Sequence, residues 1–68
     1  MDATTLEMVL TAYDETVQDA ATAGRGGEVA HAEGMVAAAM LLAAVTGVED
    51  AAARDEVERI NPRARLAA

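Results

Sequence analysis

The sequence predicts an all-α protein: an antiparallel helical hairpin and a short third helix, self-associating into a bundle. Two observations carry this expectation. Apolar residues recur at steps of three and four through most of the 68 residues, the spacing of one helix face. Glycine-bearing stretches, "AGRGG" and "VTGVE", then cut that pattern twice, and "NP" at Asn61 and Pro62 ends it.

The first helix is expected over about residues 4–23. Thr4 and Glu7 have the spacing of a capping box, and "AGRGG" closes the segment. Leu6, Leu10, Tyr13, Val17 and Ala20 form a narrow apolar seam that Val9 widens. The second helix, about 28–46, carries two seams: Met35, Ala38, Leu42 and Val45 on one side, and Val29, Val36, Met40 and Ala43 on nearly the opposite side. A helix apolar all round must be covered all round. If the glycines close a hairpin, Leu6 faces Val45, Leu10 faces Leu42, Tyr13 faces Ala38 and Val17 faces Met35.

The third helix is expected over about 48–60, with Thr46 and Glu49 as a second capping box and Gly47 as a helix-ending residue. Its stripe of Ala53, Val57 and Ile60 is thin, and its charges form i to i+4 ladders, Asp50 with Arg54 and Glu58, and Asp55 with Arg59. Residues 62–68 show no pattern and are expected to be a disordered tail, leaving 1–61 as a single domain.

Composition limits what such a domain can bury. The chain is 53% apolar, but alanine dominates and the only aromatic residue is Tyr13. Each ordered residue therefore buries little area against roughly 1.5 kcal/mol of lost entropy. Cysteine is absent, which removes disulfides and thiolate metal sites, so self-association is the first expected source of extra burial. The second seam, Val36, Met40 and Ala43, is the expected interface.

The net charge is −7 and every basic side chain is arginine. That balance speaks against nucleic acid and anionic membranes and for a basic protein partner. The start, "MDATTLEMVL", is acidic where a secretory leader is basic, so a cytoplasmic location is expected. The uncharged run Gly34 to Val48 is shorter than the roughly 18 to 20 residues a bilayer needs, and a buried core helix is expected instead of a membrane span.

Three groups of residues invite a functional reading. The glycines before the second helix, with Arg25, have the elements of a small anionic ligand site, although Glu28 already occupies the first turn and opposes an anion. Glu28 and His31 have Glu-x-x-His spacing, which sets a carboxylate and an imidazole on one helix face where they can hold iron or zinc. Over those four residues, "EVAH", the chain resembles the di-iron motif of ferritin-like and encapsulated-ferritin proteins; Asp19 is the nearest acid across the hairpin, and a complete site would need a second chain. The simpler expectation is a structural His31 packed over Ala20 and bonded to Asp19 or a carbonyl, with no cofactor.

The third group is Glu7, Asp14, Glu15 and Asp19, acids on the first helix without a neutralising arginine. They are the expected contact residues for a partner. No serine exists for His31 to activate, and no nucleophile, base and orienting group can be assembled, so an enzyme is not expected. The sequence thus reads as a small acidic oligomeric adaptor, regulatory or inhibitory, of the kind phages or mobile elements encode, docking on a larger protein. The alternatives are a metal-binding helical protein completed across an oligomer interface and a binder of a small anion.

Overall fold

The computed structural model describes residues 1–67, and among them every regular element is a helix: α1 (Ala3–Thr22), α2 (Gly27–Thr46), α3 (Asp50–Ile60) and α4 (Pro62–Ala67). The expected hairpin and third helix are present, with bounds moved by one or two residues. Over residues 62–67 the fourth helix stands where a disordered tail was expected, and residue 68 of that tail lies outside the described residues.

Each boundary has a local cause. Asp2 begins α1, not Thr4. It lies in extended conformation and its Oδ1 accepts the Thr5 amide at 2.7 Å, so the capping box of Thr4 and Glu7 falls inside the helix and does not form. Asp is as good a cap as Thr, and it comes two residues sooner. The Thr5 backbone amide and then its hydroxyl hold the Asp2 carboxyl below the usual carboxylate range. The cap is therefore fully made above that range and is lost only as pH falls through the lowered value.

The end of α1 is a Schellman motif: Arg25 N–H donates to Ala20 and Gly24 N–H to Ala21, both at 3.0 Å, with Gly24 left-handed at φ 82°. Gly26 and Gly27 have no left-handed φ, and a Cβ added to either would meet nothing within 4 Å. The turn geometry needs one glycine, not three.

Gly47 ends α2 in the left-handed conformation, its amide reaching Ala43 at 2.8 Å. The second expected capping box does not form. Thr46 is the last residue of α2 and its hydroxyl donates back to the Leu42 carbonyl at 2.7 Å, while Glu49 occupies the cap of α3 with no side-chain bond. Asn61 closes α3 at φ 54°, and Pro62, which stops α3, is also the first residue of α4. Proline suits that place because the first helical amide needs no partner. Arg65 Nε fastens α4 by donating to the Ile60 carbonyl at 2.9 Å.

α2 is the central element, packed against α1 along its length and against α3. The core joins Val9 and Tyr13 of α1, Ala38, Ala39 and Leu42 of α2, and Ala53, Val57 and Ile60 of α3. The hairpin register differs from the expected one at Tyr13, whose ring lies with Val17 against Gly34 and whose hydroxyl reaches His31. A buried phenol needs a polar partner, and His31, not Ala38, supplies it.

The charge ladders expected on α3 are not made. Glu56 and Arg59 pair at 2.7 Å, which holds the Glu56 carboxyl low and the Arg59 guanidinium high. Finally, the helix containing the uncharged run is longer than the run itself. At 20 residues, with a mean hydropathy of 1.6 over an 18-residue stretch, α2 is long and apolar enough to cross a membrane by length and composition alone. It packs between α1 and α3, but 28% of that stretch is buried, so the buried core helix expected from the sequence is only partly covered.

Candidate interaction surface

The second seam of α2 is bare over most of its length. Val29, Val36 and Met40 are 53%, 47% and 67% exposed. Ala43, expected to belong with them, is half-buried and packed against the core, because α3 returns along α2 immediately after Gly47 and covers that end. The expected interface is thus reduced to Val36 and Met40. Beside them a depression lined by Ala39, Asp50 and Arg54 marks the edge of α3.

The four acids of α1 fan over about 140° at 100° per residue, so they do not act as one cluster. Glu7 and Glu15 are exposed and line the same shallow groove between α1 and α2, with Met8, Ala12 and Leu41. Asp19 lines the adjoining stretch of that groove with Thr16, Ala20 and Ala37. Asp14 is half-buried outside the groove and accepts from Gln18 Nε2 at 2.8 Å.

Arg25 is paired in the single chain: both Glu33 carboxylate oxygens accept from its Nη1, so the turn carries an ion pair.

Of the expected metal ligands, Glu28 and His31 lie together on α2 while Asp19 stands apart. Asp19 lies in the α1–α2 groove, whereas Glu28 faces Arg63 at 3.4 Å and His31 meets Tyr13 and Arg63. Among the described residues no group of three His, Asp or Glu side chains is placed to hold a metal. His31 has partners other than the expected Asp19 or carbonyl: its Nδ1 lies 2.6 Å from the Tyr13 hydroxyl and 3.2 Å from Arg63 Nε, and its ring stands edge-on to the tyrosine at 5.6 Å. Arginine can only donate. In the Arg63 contact Nδ1 is therefore the acceptor.

Sequence reasoning missed this cluster because Arg63 is 32 residues from His31 and lies in a segment without periodicity. It also missed the groove, whose lining mixes Met8 and Leu41 with the small Ala12, Thr16 and Ala37 and belongs to no single apolar pattern. Compared with known proteins, the chain matches no family model, no curated protein and no solved structure.

Proposed function

We propose that the chain is a small acidic protein-binding module, a regulatory or inhibitory adaptor that self-associates and docks on a larger, basic protein. The observation that carries this reading is the bare outer face of α2, with Met40 67% exposed in a chain so poor in large side chains. A protein with little core to spare leaves its largest apolar residues in water where something else covers them. The acids of α1 supply the second half of the reading, since the charge of −7 repels nucleic acid and attracts a basic surface. α2 serves in this reading as the central core helix and not as a membrane span.

Self-association is tested by light scattering. The parent chain is expected to have a multiple of the single-chain mass at micromolar concentration, and Met40→Glu to reduce it to one chain, because an unpaired charge in an apolar contact costs several kcal/mol. A single-chain mass for the parent refutes it. Docking is tested with a partner recovered by affinity capture. Asp14→Lys with Glu15→Lys is expected to abolish its binding with helicity unchanged, and association of the parent is expected to slow steeply from low to physiological salt. A complex of unchanged affinity after the double reversal reduces the acids to solvation.

A further inference from the structure

The groove between α1 and α2 has a floor and a rim of different chemistry. Met8, Ala12, Thr16, Ala37 and Leu41 line it, and neither α3 nor α4 contributes a residue. Its two depressions, about 560 and 390 Å³, suit side chains better than a lone ion. Ala12 and Thr16, like Ala37 and Leu41, are one helical turn apart, so the depressions form one track. From Met8 to Ala23 it runs for about 22 Å at 1.5 Å per residue. Small residues on the floor allow another backbone to approach closely, and a channel between two antiparallel helices is the shape that a third helix fills.

The rim decides the occupant. Glu7, Glu15 and Asp19 border the track in solvent, and the one base beside it, Arg25, is already taken by Glu33. A second copy of the chain laid over this face would set the same acids against one another. Self-association therefore belongs to the outer ridge of α2 at Met40, with Val36 standing where that ridge meets the groove, and the groove calls for a cation.

Resting on the docking reading above, we propose that the α1–α2 groove receives a cationic amphipathic helix of the partner. Its apolar face seats on Met8, Ala12 and Leu41, and its lysines or arginines meet Glu7, Glu15 and Asp19.

The test titrates the full chain with a fluorescent leucine–lysine peptide of about 16 residues, amphipathic as a helix and long enough to span the track. Fluorescence anisotropy is expected to show binding at least about tenfold tighter than that of a scrambled peptide of the same composition or a leucine–glutamate analogue. Ala12→Gln, which fills the floor, and Glu7→Lys with Glu15→Lys, which reverses the rim, are each expected to weaken binding about tenfold or more. Asp55→Lys, a charge reversal at an exposed position of α3 outside the groove, is expected to leave it unchanged. Circular dichroism verifies each fold; should Ala12→Gln not fold, the exposed Glu7 and Glu15 pair decides alone.

Equal binding of amphipathic and scrambled peptides, or undiminished binding by a folded Ala12→Gln chain, overturns the proposal in favour of plain charge attraction. A parent oligomer that Ala12→Gln dissociates overturns it in favour of a second copy. If the peptide fails while a natural partner is still lost on reversal of Asp14 and Glu15, the groove falls and the docking reading stands.

Discussion

Gly34→Ala is expected to destabilise the protein, although alanine replaces glycine in the middle of a helix, where the exchange ordinarily gains about 1 kcal/mol. A Cβ at this position would lie 2.8 Å from Tyr13 Cδ1 and Val17 Cγ2 and 2.9 Å from Tyr13 Cε1. Neither neighbour can yield cheaply. The tyrosine ring is held at its far end by the 2.6 Å contact with His31, and Val17 has a stiff β-branched side chain. Overpacking of this kind costs about 1 to 3 kcal/mol, enough to outweigh the propensity gain. Gly34→Leu should separate α1 from α2 and leave the chain largely unfolded. Thermal melts followed by circular dichroism read both. An alanine variant that melts at or above the parent temperature would show that the helices are free to move apart there.

Leu42→Ala is the second large effect. Leu42 is 2% exposed and sits in the core with Val9, Ala39 and Val57, so truncation loses transfer energy and leaves a cavity, together about 2 to 5 kcal/mol. For a chain of this length the whole stability is roughly 3 to 10 kcal/mol. Met40→Ala, two residues away on the bare side of the same helix, should change stability by less than about 0.5 kcal/mol in the single chain. Urea denaturation at a concentration where no oligomer persists compares the two. Similar midpoints would contradict the division of α2 into a buried and an open side.

What the sequence makes legible here is what periodicity and punctuation encode. The hairpin, the double-sided α2 and the helix-ending roles of Gly24, Gly47 and Asn61–Pro62 could be read because each depends on residues close together in the chain. Local choices between near-equal alternatives were harder. Asp2 displaced Thr4 as a cap because both are good acceptors, and α4 was hidden because six residues are too few to show a period. The glycines were misjudged for a physical reason. The cluster in the turn attracts attention, yet Gly26 and Gly27 stand in open space, while solitary Gly34, indistinguishable in sequence from a tolerated helix glycine, is the one two side chains press against. The surface was legible as charge only: which acids share a groove depends on how two helices roll against each other, and that follows from the packing of Val9, Tyr13 and Val17 on Gly34, Ala38 and Leu42.

The ionic tie from α4 also orders events in time. α1 and α2 are joined by the four residues 23–26, α3 follows after three, and α4 after Asn61 alone. Such short closures cost little entropy, and topologies built from neighbouring helices form in microseconds to milliseconds. The contacts of Arg63 with His31 and Glu28 instead bridge 32 and 35 residues. Glu28 and His31 lie one turn apart on α2, so these contacts wait for α2 to form. Six residues tied to α2 through the half-exposed Arg63 are the easiest part of the fold to open. Backbone amides of residues 63–67 are accordingly expected to exchange with solvent deuterium well before those in the middle of α2; equal protection at the two places would mean that the chain folds and opens as one unit.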